Sequence, residues 1–286
     1  MRIALIGSGG QLAADLTVAL HGDEVVGFAR PELDLRDADS IARALDPHPW
    51  DVVINTAAYN LVDQAEKDPA DAFATNAIGS ANLARHCGQR EIRLIHFSTD
   101  FVFGFDSARA TPWKETDPPG PVSIYGMSKL AGEYAIQTYC AQHLILRTCG
   151  LYGHKGSRGK GGNFVETMLR LAGTGNPVRV VGDQRCTPSF TRDVAQTTSK
   201  LLHTSAKGIL NLTNRGECSW FEFASTIFEL AGKKVDCQRI SSAEFQAPAR
   251  RPPYSVLSDD KLSALVPALP SWQDALARYL NDRTNK

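Results

Sequence analysis

The 286-residue sequence predicts an α/β fold, a parallel sheet doubly wound by helices and followed by a smaller substrate-binding domain. Three observations carry that expectation. Short apolar runs alternate with amphipathic stretches through the first half of the chain. The first run ends in a glycine-rich turn that opens a helix. Beyond residue 153 the alternation gives way to glycine- and proline-rich segments.

Strand-like runs fall at 2–6, 24–28, 51–55, 92–98 and 144–147, and helix-like stretches at 11–21, 37–45, 70–87 and 125–142. Strands separated by helices need crossover connections, so they pair in parallel with helices on both faces. The run Leu94-Ile95-His96-Phe97 is nearly continuous rather than alternating, as strands buried on both faces are. In the second half, the basic loop 154–162 contains Lys155, Arg158 and Lys160 and leads into a helix at 163–172. Pro248 to Pro253 must be loop, because its prolines remove donors and restrict their neighbours. A last helix is expected from Trp272 to about Asn281, with Ser271 as its N-cap. Residues 1–153 form the dinucleotide-binding domain and 154–286 mainly the substrate-binding domain, with segments near 180–205 returning to the first.

Composition narrows the function. Lys+Arg and Asp+Glu both number 31, so no excess of positive charge favours nucleic acid. Hydrophobic residues at 43% and charged residues at 22% describe a folded, soluble chain. The N-terminal apolar run stops at Gly7, too short for a signal segment, and no later run reaches membrane length. Six cysteines show no C-x-x-C pair, and the seven histidines show no metal spacing. A cytoplasmic protein with reduced thiols is the expectation.

After the first strand comes Gly7-Ser8-Gly9-Gly10-Gln11-Leu12-Ala13. Leu12 breaks the G-x-G-x-x-G spacing, but Gly7-x-x-Gly10-x-x-Ala13 fits a Rossmann turn. Such small residues permit the turn, the approach of a pyrophosphate, and close helix–strand packing. The phosphates then meet the free N–H groups of a helix N-terminus. A glycine-rich turn without a ligand is the alternative. At the end of the second strand the usual ribose-binding acid is absent and Arg30 follows Phe28-Ala29. A guanidinium there suits a 2′-phosphate and so NADP(H), or it is simply a solvated surface arginine. Asp34 and Leu35 could lie against the adenine, or Asp34 could be a turn or cap residue.

Tyr125 and Lys129 stand four apart in a helix-like segment and share a face. An ammonium beside a phenol favours the phenolate and lowers its pKa, which suits proton transfer at a carbonyl. Thr99, at the end of the fourth strand, lies where open α/β sheets bind ligands. It could hydrogen-bond a substrate carbonyl or cap the backbone. Arg251, held between prolines, is a diphosphate candidate.

These motifs occur together with Asn55-Thr56-Ala57-Ala58-Tyr59, Asn76-Ala77-Ile78-Gly79 and Ser98-Thr99-Asp100-Phe101-Val102-Phe103-Gly104. The set resembles the extended short-chain dehydrogenase/reductase family, and within it the dTDP-4-dehydrorhamnose reductases. The resemblance implies that Gly10, Gln11 and Leu12 hold the pyrophosphate, and that Asp34 and Leu35 flank the adenine. Ala57, Ala58 and Tyr59 would line the nicotinamide half, and Lys129 would reach its ribose. Thr99 and Asp100 would meet the sugar, with Tyr125 as proton donor. The implied reaction is NADPH-dependent reduction of the C4 ketone of dTDP-4-dehydro-L-rhamnose, with NADH as the alternative cofactor. A divalent magnesium ion at a dimer contact is known in some members, with Asp15 the candidate here, but the sequence establishes no such site. Monomer and homodimer both stay open.

Two positions depart from the family pattern. Phe101 stands where a tyrosine is usual, and Gly150 stands where a tryptophan faces the sugar. Tyr152 or Phe164 could supply the missing flat surface, while the four tryptophans are expected to pack rather than bind. The alternatives are a reductase or epimerase of another nucleotide-linked sugar, or a regulatory subunit similar to the methionine adenosyltransferase β subunit.

Overall fold

In the computed structural model, residues 1–155 and 162–284 are described. Arg158 and Lys160 lie outside them. Through the first half run β1 (Arg2–Ile6), α1 (Gln11–Ala19), β2 (Glu24–Phe28), α2 (Ala38–Leu45), β3 (Val52–Asn55), α3 (Val62–Lys67), α4 (Pro69–Phe73), α5 (Gly79–Gln89), β4 (Arg93–Thr99), α6 (Ile124–Tyr139) and β5 (His143–Thr148). The second half contains β6 (Leu151–Tyr152), α7 (Phe164–Ala172), β7 (Val178–Val181), β8 (Arg185–Cys186), β9 (Ser189–Phe190), α8 (Thr191–Leu202) and β10 (Gly208–Asn211). It ends with β11 (Cys218–Ser219), α9 (Trp220–Leu230), β12 (Cys237–Ile240), α10 (Ser242–Phe245), α11 (Asp260–Ser263) and α12 (Trp272–Thr284).

The central sheet has the order β2-β1-β3-β4-β5-β10 and every pair in it is parallel. Strand order reverses between β1 and β3, which opens a crevice beyond their carboxyl ends. One face of the sheet is covered by α1 and α8, whose Leu12, Leu16, Val194 and Leu201 are buried against it. The other face is covered by α2, α5 and α6 through Leu45, Leu83 and Ile136. A separate core around Phe223, Ile227, Leu276 and Tyr279 belongs to the second domain. Two later segments join the central sheet and its helices. Residues 191–202 pack as α8 on α1, and 208–211 add the sixth strand. That strand is only four residues long, too short to stand out as an apolar run.

The expected helix at 70–87 is broken. Between α4 and α5, Ala74–Ile78 forms a π-helical turn, the kind of one-residue insertion found at functional sites. It turns Asn76 inward, where Asn76 Oδ1 accepts from Tyr59 N and Nδ2 donates to Tyr59 O, each at 2.9 Å. The same Nδ2 donates to Ser128 Oγ on α6 at 2.9 Å. The loop after β3 is thereby pinned to α6.

Helix α6 starts at the N-cap Ser123, whose hydroxyl accepts from Gly126 N. Its inner face carries Lys129 and Glu133 into the core, 2% and 0% exposed. Glu133 is matched by Arg147 of β5 through two bonds of 3.0 and 2.7 Å, and by Ser98 Oγ at 2.5 Å. Replacing Arg147 with Met would leave that carboxylate buried without a cation. Such a change costs about 3–5 kcal/mol, and urea denaturation should show the corresponding fall in midpoint.

Candidate active site

The crevice at the switch point is shaped by Gly7 and Gly10. Gly7 has φ +82°, and a Cβ there would stand 2.7 Å from Ala57 N. Only a residue without a side chain lets the ends of β1 and β3 close up this way. Gly10 is the N-cap of α1 and provides no side-chain cap, so the first N–H groups of that helix stay open toward the crevice. Those are the groups that meet phosphate oxygens at a helix N-terminus, and they fit a dinucleotide pyrophosphate. Leu12 points into the core, so it offers only its backbone. Gln11 is tied elsewhere: its Nε2 donates to Leu151 O at 3.1 Å and its Oε1 accepts from Asn163 at 3.2 Å.

At the far end of the crevice, Arg30 is exposed. Asp34 is not available as a ribose acceptor in the usual way, because Arg36 holds both its oxygens at 2.6 to 3.1 Å. The hydrogen bond from Arg36 holds the Asp34 carboxyl below its ordinary value, and the charge of Arg30 adds to this. The end of β2 thus presents two guanidinium groups around one neutralised carboxylate. Arg36 was not singled out in the sequence, although its place two residues after Asp34 was a local clue. Leu35 is turned into the core beneath Gly79. Ala57 and Tyr59 are half-buried and Ala58 is exposed along the inner rim.

Tyr125, Thr99 and Asp100 come together beside that rim. Thr99 Oγ1 accepts from Phe101 N at 3.2 Å and donates to Asp100 Oδ1 at 3.1 Å, so the hydroxyl caps the turn after β4. It also stands close enough to the Tyr125 phenol to act on it. Burial pushes the Tyr125 phenol up to about 12; Thr99 lowers it and the Asp100 charge raises it. Asp100 is itself buried, and burial raises its pKa against bonds from Ser255, Cys149 and Thr99. Phe101 packs edge-on against Tyr125, with ring centroids 5.7 Å apart.

Lys129 does not act on Tyr125 as the spacing suggested. Its Nζ donates to Phe97 O at 2.7 Å and meets His96 Nε2 at 3.1 Å. Burial lowers Lys129 to about 8, opposed by the charge of Glu133. The cause is the seat of α6 on β4, which puts the sheet's polar groups directly under the lysine.

Next to Tyr125 a recess is lined by Asp100, Phe101, Cys186, Trp220, Arg251 and Ser255. Gly150, at φ +51°, leaves room for the tip of the Trp220 ring: a Cβ there would lie 3.1 Å from it. The second domain therefore delivers an indole to the position that lacks a side chain. Trp220 was expected only to pack. Phe164 supports it from behind at 4.8 Å, while Tyr152 is fully buried among Phe190, Phe223 and Tyr279. Arg251 lines the recess, though Asp63 holds its guanidinium at 2.9 Å. Lys155 is exposed. Asp15 accepts a hydrogen bond from Thr191. Among the described residues no group of three or more His, Cys, Asp or Glu could hold a metal ion.

The model of the family described as RmlD substrate binding domain matches residues 1–285. The chain belongs to this family. It is 37% identical to a dTDP-4-dehydrorhamnose reductase of Sinorhizobium fredii, over 98% of this chain and 97% of the relative. A crystal structure of dTDP-4-dehydrorhamnose reductase from Bacillus anthracis, in complex with NADP, matches with TM-score 0.92 at 35% identity. That match covers 98% of this chain and 99% of the other. The chain is also 36% identical to a probable dTDP-4,6-dihydroxy-2-methyloxan-3-one 4-ketoreductase of Streptomyces antibioticus, over 99% of this chain and 95% of the relative.

In this RmlD-family chain the cofactor crevice depends on Gly7. Replacing it with Ala puts a methyl group 2.7 Å from Ala57 N in a left-handed conformation. NADPH affinity should fall by at least about tenfold, roughly 1.4 kcal/mol, as measured by fluorescence titration.

Proposed function

We propose that this protein reduces the C4 ketone of dTDP-4-dehydro-L-rhamnose to dTDP-L-rhamnose with NADPH, in the cytoplasm. The observation that carries the reading is the joining of Tyr125 and Thr99 to the recess under Trp220, Tyr125 through its packing on Phe101 and Thr99 through its bond to Asp100. Similarity to dTDP-4-dehydrorhamnose reductases over nearly the whole chain supports the substrate class. Among the described residues no helix is long and apolar enough to cross a membrane.

The N–H groups of Gln11 and Leu12 would hold the pyrophosphate, and Arg30 with Arg36 the 2′-phosphate. Ala57 to Tyr59 would line the nicotinamide side, and Lys129 would turn from the sheet to the ribose. The nicotinamide, when bound, supplies the hydride. Tyr125 stays protonated at neutral pH, because its pKa is raised to about 12. It is therefore ready to give a proton to the oxygen that gains charge at C4. Thr99, on turning its hydroxyl proton away from Asp100, would donate a second hydrogen bond to that oxygen and hold it in place. Trp220 would lie against the sugar, and Asp100 would accept from a hydroxyl. Arg251 would meet the diphosphate by exchanging its bonds to Asp63.

A second reading keeps this chemistry and changes the sugar. Gly150 with Trp220 gives the recess a wall from the second domain, and the Streptomyces antibioticus relative is named as a 4-ketoreductase of a different compound. Assay of both 4-keto sugars under identical conditions separates the two.

Two substitutions test the roles. Tyr125→Phe should lower kcat by about 10²–10⁴-fold while leaving NADPH affinity intact, followed by loss of NADPH absorbance. If it retains most of the rate, the proton donor is another group. Trp220→Ala should raise KM for the keto-sugar by roughly tenfold, about 1.4 kcal/mol, with little change in NADPH affinity. An unchanged KM would remove Trp220 from the sugar site.

A further inference from the structure

Beneath Lys129 runs a buried chain of hydrogen bonds whose direction is set at its far end. Ala57 N donates to Asn55 Oδ1 at 3.0 Å. Because a backbone N–H can only donate, the oxygen of Asn55 must face it, and its amide nitrogen must face His96. Asn55 Nδ2 then lies 3.0 Å from His96 Nδ1 and donates to it. An imidazole that accepts at Nδ1 carries its proton at Nε2. That Nε2–H points at Lys129 Nζ, 3.1 Å away.

An ammonium has no acceptor to offer an N–H. A neutral amine does: its lone pair takes the His96 proton while one of its own N–H groups reaches Phe97 O at 2.7 Å. The opposite assignment, with an ammonium donating to Nε2, would set the Nδ1–H of a neutral His96 against the Nδ2–H of Asn55. Asn55 and His96 are each 1% exposed, so no bulk water relieves such a clash. The charged and titratable groups around Lys129 are His96 from β4, Glu133 and Tyr125 from its own helix, and Arg147 of β5, which pairs with Glu133. Glu133 alone would favour the ammonium, but Arg147 and Ser98 already engage its oxygens. The lowered pKa of Lys129 agrees with this arrangement, as does the lowered pKa of His96.

We propose that Asn55 and His96 form a positioning pair that holds Lys129 as a neutral amine in the cofactor-free protein in mildly alkaline solution, so that binding of NADPH there draws in a proton. The proposal rests on the reading that Lys129 reaches the ribose. There the hydroxyl oxygens accept hydrogen bonds, and an ammonium with three donors is favoured over an amine. The proton is added from solvent to the amine nitrogen as the side chain leaves His96. No other bond is made or broken.

Calorimetry of NADPH binding, in buffers of differing ionisation enthalpy at about pH 9, reads this directly. The 2′-phosphate is already fully ionised there, since its second pKa is near 6. Uptake should approach about one proton per cofactor bound, as expected when a group with a pKa near 8 returns to the ordinary lysine value near 10.4. Asn55→Asp keeps the acceptor for Ala57 N and sets a second carboxylate oxygen, an acceptor, opposite His96 Nδ1, which then carries the ring proton and donates it in a hydrogen bond. This reverses the tautomer and lets His96 accept from an ammonium, so uptake should drop to less than half. Wild-type binding without buffer-dependent heat would overturn the proposal alone, as would unchanged uptake in folded Asn55→Asp. Failure of the wild-type protein to bind NADPH at all would remove the cofactor reading with it.

Discussion

The inner face of α6 carries a lysine and a glutamate into an apolar floor, and the site around it depends on how those two polar groups are met. Burial of an unpaired charge costs several kcal/mol, so neither side chain can lie there without dedicated partners. Glu133 is answered by Arg147 and Ser98, from two neighbouring strands. Lys129 is answered by Phe97 O and His96, from one of those strands. Together these bonds tie α6 to β4 and β5 at a defined height and rotation. Tyr125, one turn before Lys129, is thereby set over the end of β4, where Thr99 can reach its phenol.

The same constraint divides labour between tyrosine and lysine. Were the ammonium to sit beside the phenol, Tyr125 would become a better base and a weaker hydrogen-bond donor at neutral pH. In the cofactor-free arrangement the phenol is instead raised by burial and by Asp100. For a reductase that is the useful direction, since the group must hold its proton until negative charge develops on the substrate oxygen. The clasp of Asn76 on Tyr59 and Ser128 serves the same geometry from outside. It fixes the loop after β3 to α6.

What was legible in the sequence follows from the range of each interaction. Buried parallel strands are continuous apolar runs, so β1 to β5 lie within one or two residues of their expected bounds. Gly7, Gly10 and Ala13 were readable as a tight strand-to-helix turn because such a turn is local, and Tyr125 with Lys129 as neighbours on one face because four residues make about one helical turn. The π turn at Ala74–Ile78 was not readable, since one inserted residue leaves apolar periodicity almost unchanged. His96 looked like one more residue of a buried strand. Its bond to Lys129 joins residues 33 apart, and its tautomer depends on Asn55 from a third element. Trp220 lay further out of reach: only the docking of α9 against the turn after β5 reveals that it borders the recess.

That docking bears on how the recess selects a sugar. A wall grown from residue 150 would stand on the turn directly after β5. Here the wall is an indole at the first position of α9, a helix whose capping box of Ser219 and Glu222 anchors it within the second domain. Its place over Gly150 therefore depends on how the two domains meet, and a substrate that touches Trp220 also touches that interface. Arg251 is under a similar condition, being held by Asp63 of α3. A diphosphate that draws Arg251 away from Asp63 would loosen one tie between the domains while the sugar forms another on Trp220. The aromatic surface over Gly150 and the pair Thr99–Tyr125 thus stand on different elements, α9 on one side and β4 with α6 on the other.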